Sequence, residues 1–535
     1  MSIAARRFLG NMSIGSSKLE MDKTPAFQTK TQPQKPIASF KPSRRKFLVG
    51  STALTAVGLS GTIFGRPEAA QFSPIKLVVA GTVGSFTYNG KSPGPTLMMD
   101  PGDTLDIELI NELNALHDDC TDDVNQFHGL HTTNLHMHGL HVSPTTDASG
   151  EFDADNIFVN VTPKGQFVSC EEICGTSVAE VFREHRNQFR FEIGPDHPSG
   201  TFWYHAHKHG ATQSQVAGGL VGPLIVRDKP GTMPPYITEA AEKIFIIMNE
   251  GLVLVDLEGG GEVDPTLTLR PGEVQRWRII NAQASGVGGG SFARLTTNVP
   301  DLDIYQIAFD GLTLPHRFRI DQYDRDEPWE NPAALAPGNR MDLIVRVPDY
   351  AEERSIIVDL GATIRNSLSF TSTVERIVLN IDIVGDAIDH LWSEDTKLPA
   401  PEFADFDDTP LAKRVINFQG GFQIDGAQYS GETKQTMRLD DAEEWTIENN
   451  TSAVHAHHIH VNPFLITHIN GIELASDDPR RRWQDTVALP FSDNNGPGSV
   501  TYKTRFETFT GKFVIHCHVL RHEDRGMMQT VEIIA

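Results

Sequence analysis

The chain has 535 residues, with 46 Lys/Arg against 70 Asp/Glu and a formal net charge of −24 at neutral pH. That length exceeds one ordinary core and suits about three domains with an extension. The acidity argues against nucleic acid and anionic membrane surfaces as partners, and leaves only a weak, salt-screened bias toward cationic ones.

The first 70 residues differ from the rest. They hold 11 Lys/Arg against 3 Asp/Glu and so carry +8, leaving −32 on the other 465 residues. Ser43-Arg44-Arg45-Lys46-Phe47-Leu48 precedes a mildly apolar stretch over 47–64, the pattern of a twin-arginine export signal. Its Gly, Ser and Thr content makes that stretch a poor permanent membrane span. Cleavage near Ala69 or Ala70 is expected, although no clean A-x-A stands there, and Met12 and Met21 are alternative starts. The competing reading is a basic tail with an uncleaved anchor. The twin-arginine machinery carries folded proteins, which fits a periplasmic or secreted protein that acquires its cofactor before crossing. No other segment has a long uninterrupted apolar run, so no stable membrane span is expected in the mature protein.

Beyond the leader, short β-patterned runs are bounded by Gly, Pro and Asn, among them 104–110, 219–226, 274–280, 340–347, 445–448 and 512–515. Such runs predict sandwiches or Greek-key barrels. One phrase recurs. Pro101-Gly102-Asp103-Thr104-Leu105-Asp106-Ile107 is echoed by Pro271-Gly272-Glu273-Val274-Gln275-Arg276-Trp277, each opening a strand that ends at an asparagine, Asn111 or Asn281. Leu439-Asp440-Asp441-Ala442-Glu443-Glu444-Trp445, with Asn449, is a degraded third copy. Three copies spaced by about 170 residues predict three like domains at 71–232, 233–395 and 396–535, after a leader at 1–70. The breaks fall in a Pro/Gly stretch at 229–235 and an Asp/Pro-rich stretch at 394–411.

Histidines carry the chemistry. His136-Met137-His138 and His205-Ala206-His207 are H-x-H pairs in strand-like surroundings. Each pair puts two imidazoles on one strand face, roughly 6 to 7 Å apart. In His455-Ala456-His457-His458-Ile459-His460, the pair His458/His460 repeats this arrangement, while His455 falls on the opposite face if the segment stays extended. The last cluster is His516-Cys517-His518, followed by His522 and Met527. There Cys517 faces away from its two neighbours. A thiolate with two imidazoles and a weak thioether is the ligand set of a blue, electron-transfer copper; Cys517, His522 and Met527 supply three members, and His455 is the missing imidazole. His516 and His518 are free to hold a second metal centre on the other face. Any one H-x-H pair is as often a packed or surface pair as a metal site, but four such clusters argue against coincidence. The remaining eleven histidines, His117, His128, His131, His141, His209 and His457 among them, are expected to be solvated or hydrogen-bonded.

In these clusters the chain resembles a multicopper oxidase of the three-domain, laccase-like bacterial kind. The resemblance runs from about residue 75 to the end, and all twelve ligand positions are filled. It implies an all-β protein of three cupredoxin-like Greek-key β-barrel or sandwich domains and four coppers per chain. His455, Cys517, His522 and Met527 would hold a type 1 copper, and His136 and His458 a type 2 copper. His138, His205, His207, His460, His516 and His518 would hold a type 3 pair. Ala456 departs from the family, many of whose members have proline there. The middle domain carries no ligand motif and is read as a spacer and a wall, so the three-copper cluster should sit between the first and third domains, four histidines from each.

The resemblance further implies that single electrons enter at His455 or His522, pass through Cys517 and reduce O2 to water at the histidine cluster. Met527 implies a moderate potential. Glu523 and Asp155 resemble acids the family uses near the cluster, and Asp485 is a candidate for orienting a ligand imidazole. A small reducing substrate, phenolic or an aromatic amine, is the first expectation, with tetrapyrrole oxidation open. A cuprous or other metal-ion oxidase of metal tolerance is the alternative, for which a methionine-rich segment is expected; the twelve methionines pair only as Met98-Met99 and Met527-Met528. A non-catalytic exported protein on this scaffold should have lost ligands, and a copper nitrite reductase needs no eight-histidine site. With Cys517 on copper, Cys120, Cys170 and Cys174 cannot all pair. Cys120 with Cys170 or Cys174 is the favoured bridge, Cys170–Cys174 would close a very short loop, and an extra metal in the acidic stretches around them is a remote reading.

Overall fold

In the computed structural model, the described residues are 74–535 except 115–122, 166–179, 250, 285–291, 295–301, 321–326, 350–353, 360–361, 366–371, 376–377, 400–402, 404–405 and 407–411. The export leader, its cleavage point and the pairing of Cys120, Cys170 and Cys174 lie outside them.

The recurring phrase becomes the inner strand of a sheet three times over. Thr104–Asn111 lies between Ile75–Thr82, parallel to it, and Arg186–Glu192, antiparallel. Val274–Asn281 lies between parallel Ala241–Met248 and antiparallel Arg340–Arg346. Ala442–Asn449 lies between parallel Ala412–Gln419 and antiparallel Gly498–Arg505. Alternate side chains of each strand point into a core, as a period of two requires: Leu105, Ile107 and Leu109 in the first, Trp277 and Ile279 in the second, Trp445 and Ile447 in the third.

The asparagine closing each strand has a physical reason. Asn111 Nδ2 donates to the carbonyls of His131 and Val161, and Asn449 Nδ2 to those of Ala453 and Pro490. Asn281 Nδ2 donates to the Leu335 carbonyl. In all three the Oδ1 accepts the backbone N–H two residues on, at Leu113, Gln283 and Thr451. Each amide thus pairs buried backbone groups that the ladder cannot reach.

Second sheets in the first and third segments carry the histidines. His136–His138 pairs with Gly200–His205, setting His136 beside His205. His455–Ile459 lies between Thr486–Leu489 and Gly511–Cys517, setting His458 beside both Thr486 and His516, and His457 beside Cys517. Two short helices, Thr212–Ala217 and Leu520–Glu523, meet next to these strands. Among the described residues, no helix is long and apolar enough to cross a membrane.

Candidate metal centres

Strand alternation sends Cys517 and His455 to one face, where the short helix after Cys517 returns His522. The three meet in a buried group: Cys517 Sγ is 3.4 Å from His455 Nδ1 and 3.7 Å from His522 Nδ1, and the two nitrogens are 3.1 Å apart. Met527 is buried in the same core, and its carbonyl accepts the Cys517 N–H. Burial pushes the Cys517 thiol up to about 12 and His522 down to about 4, so neither ionises readily by itself. Two imidazole nitrogens and a thiol converging in an apolar pocket are satisfied by a soft cation, and the S/N/N set with a thioether nearby is suited to copper. His457, beside Cys517 in register, turns away to bond the Tyr502 hydroxyl at 3.0 Å.

On the opposite face His516 and His518 join six histidines from the other clusters. The Nε2 atoms of His207 and His460 lie 3.2 and 3.3 Å from His516 Nε2. His136 stacks on His460 at 3.9 Å between centroids, and His138 on His458 at 4.0 Å, each pair joining the first segment to the third. Buried nitrogens without a hydrogen-bond partner in the protein remain at His136 Nε2, His138 Nδ1, His205 Nε2, His458 Nε2 and both nitrogens of His518. Orphaned buried nitrogens in such number need a reason, and bound metal supplies one. Burial, then repulsion between neighbouring rings, holds His136, His138, His460, His516 and His518 well below the ordinary imidazole range, so they stand neutral and ready to ligate.

The other nitrogen of several rings is tied down, which fixes the tautomer. His136 Nδ1 meets the Asp155 carboxylate at 2.9 Å, and Asp155 Oδ1 also accepts the Met137 N–H. His205 Nδ1 meets the Ala206 carbonyl, and His458 Nδ1 the Asp485 carbonyl, both at 2.9 Å. Glu523 lies buried with Oε1 3.8 Å from both His207 Nδ1 and His209 Nδ1, and it accepts the Thr212 hydroxyl at 3.2 Å. Its neighbour Asp524 accepts the N–H groups of Gly210, Thr212 and Gln213, capping the helix Thr212–Ala217 across the seam between the two segments.

Comparison with known proteins accords with this donor set. Family models described as multicopper oxidase match residues 178–231 and 403–534. A multicopper oxidase of Staphylococcus aureus is 23% identical over 478 residues, covering 83% of either chain. A laccase of Bacillus stratosphericus is 22% identical over 515 residues, covering 84% of this chain and 90% of that one. The solved multicopper oxidase of Campylobacter jejuni, described as a metallo-oxidase, superposes with a TM-score of 0.58 at 19% identity, covering 86% of this chain and 90% of that one. Family models, curated relatives and solved structures all indicate a member of the multicopper oxidase family.

As a multicopper oxidase it is an enzyme that uses copper to couple oxidation of a reducing substrate to O2. Its fold is all-β with cupredoxin-like domains, as the sequence predicts. The structure brings His136, His138, His205, His207, His458, His460, His516 and His518 together on one side of the strand, and His455, Cys517 and His522 on the other. Asp155 and Glu523 both reach the histidine cluster, and Asp485 touches two of its rings. Histidines outside the clusters are bonded within the fold, His141 to the Val461 carbonyl and His209 to Asn125. Sequence reading missed Thr212, Asp310, Arg340 and Asp524. Charges in an otherwise apolar strand run, Arg340 and Asp342, were the available signal.

Proposed function

We propose that this multicopper oxidase takes single electrons from phenols or aromatic amines and reduces O2 to water, in the manner of a laccase. Four coppers are assigned: one at His455, Cys517, His522 and Met527; one at His136 and His458; a pair at His138, His205, His207, His460, His516 and His518. When bound, copper at the thiolate site would accept single electrons, and copper at the histidine cluster would deliver four to O2. The observation that carries this reading is the thiolate group, His455 Nδ1, Cys517 Sγ and His522 Nδ1, lying one covalent residue from the eight-histidine cluster.

Electron entry falls to the His522 edge. The Thr451 hydroxyl occupies His455 Nε2 at 2.9 Å, whereas His522 keeps 6% exposure beside Phe422, 5.3 Å away. Cys517 then joins the two faces through its own backbone to His516 and His518. Glu523, raised well above the usual carboxyl range by burial and by Asp524, holds a proton beside the cluster at neutral pH, and Asp155, pushed up to about 8 by burial, shares the His136 Nδ1 proton there. Among the described residues Met98 is the one exposed methionine, at 40%, so no thioether lines the His522 surface as a cuprous-ion oxidase would want. The domain limits proposed from the repeats, 71–232, 233–395 and 396–535, give each recurring strand its own unit. Export to the periplasm or beyond by the twin-arginine route rests on Ser43 to Leu48, and cell fractionation of an Arg44→Lys/Arg45→Lys variant tests it.

The deciding measurement is copper content and absorption of the purified protein, then O2 uptake with a simple phenol and, separately, with cuprous ion. About four coppers per chain, an intense thiolate-to-copper band in the visible and faster uptake with the phenol are expected. One copper or none would overturn the cluster assignment; preference for cuprous ion would overturn the substrate.

A further inference from the structure

We propose that Arg340, on a strand of the middle segment, is a positioning residue for the histidine cluster, acting through Asp485 and Thr486 to fix which nitrogens His138 and His458 present. This rests on the reading that the cluster holds copper. It also gives the middle segment a part beyond that of spacer and wall.

Arg340 is fully buried, and all five of its guanidinium N–H donors are used. Nη1 and Nη2 grip the two Asp485 oxygens at 2.9 and 2.6 Å in a fork, while the remaining donors go to the carbonyls of Thr201, Gly338 and Asp310. Its neighbourhood also holds the Asp485 backbone. Asp310 Oδ2 accepts the N–H groups of Asp485 and Thr486 at 3.1 and 3.2 Å, and Asn339 Nδ2 donates both to Asp310 and to the Thr486 carbonyl. The dipeptide is thus clamped on side chain and main chain alike by the middle segment.

What the clamp presents is directed at two rings. Asp485 Oδ1 lies 3.2 Å from His138 Nε2 and accepts the Thr486 hydroxyl at 2.8 Å. The Thr486 oxygen meets His458 Nδ1 at 2.9 Å, alongside the Asp485 carbonyl. A carboxylate can only accept, so His138 donates from Nε2 and keeps Nδ1 bare. His458 donates from Nδ1 and keeps Nε2 bare, and these are the two nitrogens found without partners. On the same three-residue strand His136 is set the opposite way, because Asp155 takes its Nδ1. Two carboxylates therefore make one H-x-H pair present unlike nitrogens. Space is reserved for the clamp at Gly139, where a Cβ would stand 2.1 Å from Arg340 Nη2 and 2.8 Å from Asp485 Oδ2.

The test uses full-length, copper-loaded protein with Arg340→Lys, which keeps the charge and loses the fork, and with Thr486→Val, which removes only the hydroxyl. Copper per chain, retention against a chelator of known affinity, far-UV circular dichroism and the thiolate band are read together. Wild type is measured first, and fewer than about four coppers there would count against the copper assignment rather than against the clamp. A selective loss at the histidine cluster is expected, roughly 10- to 100-fold weaker retention, with the thiolate band and fold intact. Full retention in Arg340→Lys overturns the proposal. Should Arg340→Lys lose both sites, Thr486→Val decides: selective loss upholds the clamp, and either no change or loss of both sites overturns it.

Discussion

At the residue scale, Glu523 is where burial and reactivity meet. Its Oε2 has no hydrogen-bond partner in the protein, and its carboxyl stays protonated because burial and the Asp524 charge disfavour ionisation. Glu523→Gln keeps the shape and the Thr212 contact while removing the transferable proton. Copper content and the thiolate band should be unchanged, and O2 consumption with saturating phenol should fall by about 10²-fold or more. A raised pKa means that the proton is present below it and lost as pH rises through it. Activity of the parent enzyme should therefore decline on the alkaline side, with Asp155 contributing near pH 8. A variant with parental turnover from pH 5 to 9 would remove Glu523 from proton delivery. Residues of this kind were legible in sequence when they sat close to a motif: Glu523 follows His522 directly. Arg340 and Asp310 were not, because they reach Asp485 and its backbone across 145 and 175 residues of chain, and no local spacing encodes such a contact.

At the element scale, the repeated phrase located three inner strands correctly, because turn, strand and closing asparagine are all local. Their parallel partners, Ile75–Thr82, Ala241–Met248 and Ala412–Gln419, carry no comparable signature, and only the folded sheet identifies them. The asparagine ties explain why the phrase is retained even in its degraded third copy. Asn449→Ala would strand the Pro490 carbonyl and the Thr451 N–H, and would leave the Ala453 carbonyl only the Thr451 hydroxyl at 3.3 Å. At about 1–3 kcal/mol for each unsatisfied group, the loss should come to about 2–6 kcal/mol. The side chain of Asn450, the exposed neighbour, donates to the Asn417 side chain, and Asn450→Ala, which keeps the backbone bond to Phe418, should cost less than about 0.5 kcal/mol. Thermal unfolding of the pair checks this. Equal shifts for the two variants would mean that the tie contributes nothing beyond an ordinary surface contact.

At the scale of the whole molecule, the candidate metal centres dominate the pH response of the copper-free protein. Nine imidazoles around them, His136, His138, His205, His207, His455, His460, His516, His518 and His522, are lowered, in each case first by burial. The unfolded chain would take up protons there near pH 6.5 that the folded chain refuses. Stability from these groups is therefore complete above about 6.5 and lost as pH falls below it, by about 1.4 kcal/mol per pH unit for each refused proton. Asp155, Asp310, Glu523 and Asp524 are raised by burial and act in the other direction, favouring the fold at low pH; Asp155, Asp310 and Asp524 lose that contribution as pH rises toward about 7 to 8. Nine groups outweigh four, so copper-free protein should be most stable near neutrality and weaken steeply below pH 6. Under the proposed assignment copper would engage the same imidazoles and draw ligands from the first and third segments, so loading should raise the unfolding temperature at every pH where it binds. Calorimetry at pH 7.5, 6.5 and 5.5, with and without copper, reads both effects. A copper-free protein equally stable at pH 5.5 and 7.5 would show that these rings open to water before they titrate, and the cluster would then be assembled by the metal rather than waiting for it.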